Sequence, residues 1–232
     1  MNPEELNQLS EQLLLHVKLG KDTLVMQRKL EELEPENLKT SLINDDKKKA
    51  FWINIYNAYY QILRKEKKIV KPAIYKERLF KIGGKSWSLD DVEHGILRRY
   101  RYKYSLGFFA NVMASKFIKE HAVDKLDYRI HFALNCGAKS CPPIAFYNSE
   151  NIHAQLDLST QSFLEVESDF DDENKVVITT ALFKWFYGDF GGKRGIKRIF
   201  VQQLNKEIFD YKIEYKNYSW EDDLVNFVEE GK

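Results

Sequence analysis

Cysteine is scarce in this sequence. The 232-residue chain has two, Cys136 and Cys141, too few for a disulfide-stapled scaffold. No CxxC pair occurs, the spacing that tunes thiol redox couples and anchors many structural zinc sites. Long apolar runs are missing too, since no stretch approaches the roughly 18 residues that a membrane-spanning helix needs. The opening residues, MNPEELNQLSEQ, lack the basic and apolar regions of a secretory leader, so a soluble cytoplasmic chain is expected from the sequence as given. Had a leader preceded it, an oxidising compartment would allow the two cysteines to pair. Neither sign of charge dominates: 36 Lys and Arg stand against 35 Asp and Glu, a net charge near +1. Neither nucleic acid nor a membrane is therefore expected as a partner. Repeats and low-complexity linkers are absent, which favours a single domain in a chain long enough to bury a large core.

Aromatic side chains are what the chain has in abundance, with 13 Tyr and 15 Phe, well outside a disordered composition. Leu6, Leu9, Leu13 and Val17 recur at helical spacing up to Gly20, and further amphipathic segments are expected at residues 23–34 and 35–43. Asn44, Asp45 and Asp46 then cap a helix over residues 47–65. Its stretch FWINIYNAYYQIL is apolar nearly all round, the mark of a buried helix. Asn54, Asn57 and Gln61 nevertheless share one stripe of it. A buried amide without a partner costs about 1–3 kcal/mol. These side chains therefore either tie the helix to a neighbouring backbone or wall a polar pocket, where an amide can orient an imidazole or donate to an oxyanion.

Beyond Pro72, LFKIGGKSWSL reads as a hairpin turning at Gly83-Gly84. Ser88 and Asp91 form a capping-box pattern at the start of a helix that carries Glu93 and His94. Asp90 stands four residues before His94 and Arg98 four after, so a carboxylate can steady the ring while a guanidinium opposes its charging. An exposed basic-aromatic loop is expected at residues 100–104, and a helix or mobile surface segment at 108–121.

The stretch that organises the rest is DYRIHFALNCGAKSCPPI, residues 127–144. Ile130, Phe132, Leu134 and Cys136 alternate with Arg129, His131, Ala133 and Asn135, the pattern of a buried strand. Gly137 ends it, and Ser140, Cys141, Pro142 and Pro143 follow in a loop. A helix beginning at Ser149, an acidic turn at 169–174, strands at 175–180 and 211–216 and a helix at 194–207 complete the reading. The DFG triplet at 189–191 is set aside as a kinase magnesium loop, because no glycine-rich phosphate loop or HRD loop accompanies it.

A thiolate nucleophile needs a base or cation within hydrogen-bond reach. On an extended strand His131 and Cys136 are roughly 16 Å apart and point to opposite faces. His94 is then the expected base, with Cys141 or Cys136 as nucleophile and Asn57 or Asn135 as the orienting or oxyanion-stabilising amide. That set specifies hydrolysis or transfer at an ester or amide carbon. The alternatives are a non-catalytic pocket for a peptide or small ligand, a zinc site on His94, His131, Cys136 and Cys141 with poorly fitting spacing, and a thiol redox couple. No metal or cofactor is expected.

FWINIYNAYY, DDVEHGILR and residues 127–144, in this order, resemble the uncharacterised family catalogued as domain of unknown function 547. The resemblance runs over about residues 50–220. It covers Trp52, Asn54, Tyr56 and Asn57 in the first motif, Glu93, His94 and Arg98 in the second, and Phe132, Leu134, Gly137, Ser140 and Pro142 in the third. It implies bacterial and plant relatives and no set activity. The family pattern is looser at the cysteines than at Glu93-His94, so the resemblance moves the expected centre to those two, with the cysteines as helpers. Where the family resembles Tyr-Asp-Trp, this chain has Tyr218-Ser219-Trp220.

The expected architecture is a single α+β domain, with an N-terminal helical segment (residues 1–49) packed on a core (residues 50–232) that holds a small, mostly antiparallel sheet. The expected site brings together His94, Glu93, Cys136, Cys141 and Asn57, with Asn54, Arg98, His131, Asn135, Gly137, Ser140 and Pro142 around a pocket for a small molecule or peptide.

Overall fold

The computed structural model describes residues 3–228. Four helices open the chain: α1 (Pro3–Lys18), α2 (Leu24–Glu31), α3 (Pro35–Ser41) and α4 (Asp45–Gln61), the last running on through a π-helical turn at Ile62–Glu66. A short α5 (Ala73–Lys76) leads into an antiparallel hairpin of β1 (Phe80–Ile82) and β2 (Lys85–Trp87). The turn of this hairpin uses Gly83 and Gly84 at φ of +60° and +66°, backbone that side chains with a Cβ resist. A π-helical segment, Asp91–Leu97, follows, then α6 (Lys116–His121) and a 3₁₀ turn at Tyr128–Phe132. Helix α7 (Ile152–Glu167) precedes β3 (Asp169–Asp171), β4 (Val176–Thr179), α8 (Leu182–Trp185), α9 (Gly192–Leu204) and β5 (Lys212–Tyr215). β4 pairs antiparallel with β3 and parallel with β5. The fold is thus α+β in a single domain, and β3 occupies ground expected to be an acidic turn.

Helix α4 is the axis of the main core. Asn44 accepts the Lys47 amide at 3.0 Å to cap it, and every residue from position 50 to 61 is buried. Phe51, Trp52 and Ile53 are wholly enclosed, each such burial stabilising by roughly 1.5–3 kcal/mol. Leu6 and Leu13 of α1 belong to the same cluster. Because α4 runs straight across residue 50, the N-terminal helices and the segments after them share one core. A second cluster gathers Phe132, Phe163, Phe183, Phe190 and Phe200, and α7 joins the two, with Ile152 and Leu156 in the first and Phe163 and Leu164 in the second.

The strand expected over residues 127–136 is not formed. Asp127 accepts the Arg129 amide at 3.1 Å and grips the Arg129 guanidinium at 2.9 and 2.7 Å, which starts a tight turn instead of an extended run. The turn sends Ile130 into the first core and Phe132 into the second. Alternation in the sequence therefore records two different cores, not two faces of a sheet. The irregular chain that follows, residues 134–144, is fastened by residues 221–228, which run alongside it: Lys139 N donates to Glu221 O at 2.8 Å, Asp223 N to Gly137 O at 2.8 Å and Ile144 N to Asn226 O at 2.8 Å. Among the described residues no helix is long and apolar enough to cross a membrane.

Candidate active site around His94

A cavity of about 300 Å³ opens where the π-helical segment, α4, the cysteine loop and the C-terminal aromatic residues meet. Ser88 and Asp91 build the capping box in both directions, Ser88 N donating to Asp91 Oδ2 at 3.1 Å and Asp91 N to Ser88 Oγ at 3.0 Å. The wider π-helical turn that follows carries Glu93 and His94 to the cavity wall; such turns recur where a helix must re-aim functional side chains. Helix α4 contributes Tyr56, whose hydroxyl donates to Glu93 Oε2 at 3.2 Å.

His94 sits between opposing charges. Arg98 Nη1 lies 2.8 Å from its Nδ1, and an arginine can only donate, so Nδ1 is the acceptor. The neutral ring therefore carries its proton on Nε2, the nitrogen 3.6 Å from Asp90 Oδ1. Burial first, and then Arg98, push the imidazole pKa down to about 3 against the opposing pull of Asp90. Asp90 is itself engaged by Lys103 Nζ at 2.8 and 2.7 Å. Glu93 Oε1 lies 3.6 Å from His94 Nδ1, so carboxylate and imidazole share this wall.

Behind His94 runs a buried relay. Arg98 Nε donates to Asp189 Oδ2 at 2.6 Å, with neither side chain exposed, and His131 Nε2 meets the same oxygen at 2.8 Å. Burial would raise the Asp189 carboxyl, but His131 and Arg98 outweigh it and hold the group below the usual carboxylate range. Burial lowers His131 despite Asp189. The ring is thus neutral, stacked on Phe186 at 3.9 Å, with Nε2–H directed to the carboxylate. The approach of Asp189 depends on Gly107, where an added Cβ would come within 2.1 Å of Asp189 Oδ1.

The sulfurs of Cys136 and Cys141 line the cavity and are bonded to each other. This corrects the expected thiol mechanism: a sulfur held in a disulfide is no thiolate, so neither cysteine serves His94 as a nucleophile in this state. Tyr218 Oη reaches both sulfurs, at 3.2 and 3.0 Å, and packs against Trp185 and Trp220 at 4.6 and 4.7 Å. Among the described residues no group of three or more His, Cys, Asp or Glu side chains is arranged to hold a metal ion.

The amides of α4 lie outside the cavity wall. Asn54 donates to Tyr147 O at 2.7 Å and accepts Tyr147 N at 3.1 Å. Asn57 donates to Ala133 O and accepts Asn135 N, both at 2.9 Å. Both are tied to loop backbone and neither lines the cavity, which makes Asn57 the hanger of the cysteine loop and not a donor to an oxyanion there. Asn135 is turned inward as well, donating to Pro142 O and accepting Gly137 N at 2.7 Å each. Ser140 Oγ accepts Ser219 N at 3.0 Å. Glu93, His94, His131, both cysteines and Pro142 line the cavity, while Arg98 acts from behind. The sequence reading missed Asp189, Tyr218 and Trp185. Its one pointer to Asp189 was the DFG triplet, weighed there only as a phosphate-transfer motif. In a larger cleft of about 770 Å³ beside Asp127 and Arg129, Arg129 is paired with Asp127 and Asp157, and Lys49 with Asp46 and Asp127.

Comparison with known proteins adds one match. A family model described as "Protein of unknown function, DUF547" covers residues 40–164, more than half of the chain. No curated protein and no solved structure matches. The matched residues include Tyr56, Glu93, His94, Arg98, His131 and both cysteines, whereas Asp189 and Tyr218 lie C-terminal to them.

Proposed function

The chain belongs to the DUF547 family, and on that premise we propose that its cavity hydrolyses, or transfers an acyl group from, a small ester or amide by using Glu93 and His94 and no cysteine nucleophile. The observation that carries this reading is the hydrogen bond from Arg98 to His94 Nδ1. A ring held neutral with its proton on Nε2 is a poor base and a good fixed donor to oxygen, so His94 polarises the carbonyl and steadies the oxyanion. Glu93 is then the base. It takes a proton from water or an acceptor hydroxyl, whose oxygen adds to the carbonyl carbon. As the tetrahedral adduct collapses, the Glu93 carboxyl returns the proton to the departing alkoxide or amine. Tyr56 supports the reading by orienting Glu93 through Oε2, and the aromatic wall of Trp185, Phe186 and Tyr218 gives the acyl side chain an apolar seat. The disulfide fits an oxidising compartment better than the cytoplasm expected from the N-terminal residues.

The test is turnover of a panel of chromogenic esters and amino-acid anilides by the unaltered chain and by Glu93→Gln and His94→Gln. Each substitution is expected to lower kcat by about 10²–10³-fold. No turnover across the panel, or unchanged turnover in both variants, overturns the reading in favour of a pocket that binds without chemistry.

A further inference from the structure

We propose that the Cys136–Cys141 disulfide is exchange-active: a thiolate entering the cavity attacks Cys136, and Cys141 is the sulfur that leaves. This does not rest on Glu93 or His94, so it and the hydrolytic reading fail separately. The first support is position. Both sulfurs line the cavity, Cys136 partly exposed and Cys141 only 3 % exposed, so an incoming sulfur meets Cys136 first.

The second support is an asymmetry in hydrogen bonding. A disulfide sulfur carries no proton, so the Tyr218 hydroxyl is the donor and shares its one proton between the two sulfurs, at 3.2 Å to Cys136 and 3.0 Å to Cys141. Cys141 Sγ alone also receives a backbone N–H, from Cys136 at 3.0 Å. A thiolate released at Cys141 therefore finds two donors already in place, and the sulfur better stabilised as an anion leaves faster. The third is restraint. Cys141 N donates to Ala138 O at 2.9 Å and Asn226 Nδ2 to Cys141 O at 3.2 Å, contacts that do not involve the sulfurs and that hold the loop when the bond is open.

The chemistry balances with a thiol as sole co-reactant. The thiolate sulfur bonds to Cys136 Sγ, the Sγ–Sγ bond breaks, and its electron pair goes to Cys141. A second thiolate attacks the substrate sulfur of the mixed disulfide and releases Cys136. Two thiols become one disulfide, and the chain gains two electrons and the two protons as a dithiol. The reverse run with a substrate disulfide restores the bond. A cavity of about 300 Å³ accommodates a low-molecular-weight thiol or the cysteine side chain of an extended peptide.

The experiment incubates the full chain with reduced glutathione or with a hexapeptide bearing one cysteine, quenches in acid, alkylates free thiols and locates the adduct by fragment mass. The expected adduct is on Cys136, in at least about tenfold excess over Cys141, with opening slowed severalfold in Tyr218→Phe. Reaction with glutathione alone identifies a small thiol as the co-reactant, and reaction with the hexapeptide identifies a peptide cysteine. A bond that resists both thiols in the native chain and opens only in urea, or an adduct shared equally between the two cysteines, overturns the proposal. Should Tyr218→Phe fail to fold, the adduct's location in the unaltered chain decides alone.

Discussion

The guanidinium of Arg98 lies 2.6 Å from the carboxylate of Asp189, and neither side chain has any exposed surface. The same guanidinium fixes the tautomer of His94, so the wall of the cavity and the buried pair behind it form one electrostatic unit. Arg98 Nη2 and Asp189 Oδ1 are left without partners, which makes the pair costly to bury and costlier to break.

Removing one member strands the other. Arg98→Met is expected to lose about 3–5 kcal/mol of stability, and Arg98→Met combined with Asp189→Leu is expected to lose less than Arg98→Met alone. Urea unfolding at neutral pH measures both. A double variant as unstable as the sum of its singles would show that the two side chains contribute independently.

His94 makes folding sensitive to mild acid. Its folded pKa, about 3, lies below the ordinary histidine value of 6.5, so below pH 6.5 the unfolded chain binds the proton that the folded chain refuses. The contribution is complete above pH 6.5 and drains away as the pH falls towards 3. Between pH 6.5 and 4.5 the unaltered chain is expected to lose about 2–3 kcal/mol more than His94→Gln, read from urea midpoints at intervals of pH. His131, lowered in the same direction, remains in both proteins and cancels from the difference. Parallel curves for the two proteins would contradict the neutral, buried imidazole.

Gly107 is the support on which Asp189 rests. Its φ of +89° already disfavours a side chain, and the Cβ of Gly107→Ala would lie 2.1 Å from Asp189 Oδ1 and 2.7 Å from Asp189 N. Gly20 also has a positive φ, yet nothing lies within 4 Å of its Cβ position. Gly20→Ala is therefore expected to cost about 1 kcal/mol from backbone strain alone, and Gly107→Ala about 3 kcal/mol or more from strain plus clash. Thermal unfolding of the two variants side by side provides the check, and equal shifts would remove Gly107 from the support of Asp189.

The elements that were legible in the sequence are those whose signals are local. The Ser88–Asp91 box, the hairpin at Gly83-Gly84 and the placement of Asp90 and Arg98 around His94 depend on residues three or four positions apart, and all are present. The segment at 128–132 was misread because alternation has two physical sources, and a chain threaded between two cores imitates a strand. Asn54 and Asn57 were legible as needing partners, but the partners are backbone atoms of Ala133, Asn135 and Tyr147, and Gln61, expected to behave alike, is buried with neither side-chain atom hydrogen-bonded. Any backbone atom can fill that role, so no side-chain pattern marks it. Asp189 was illegible for the same reason in reverse: its partners at positions 98 and 131 meet it only through the fold, and its own neighbours matched a motif from unrelated chemistry.

The band of backbone hydrogen bonds between residues 221–228 and the cysteine loop also has a bearing on biosynthesis. Tyr56 and His94 emerge from the ribosome long before the aromatic residues at 218 and 220 that share their cavity wall. Before those residues are made the helical core can condense around α4, yet the cysteine loop hangs only from Asn57 and its own internal bonds, and both thiols face whatever oxidant or chaperone is nearby. Closure of the cavity thus waits until residues 218–228 have been made, and a nascent chain stalled before residue 218 would carry an unassembled centre.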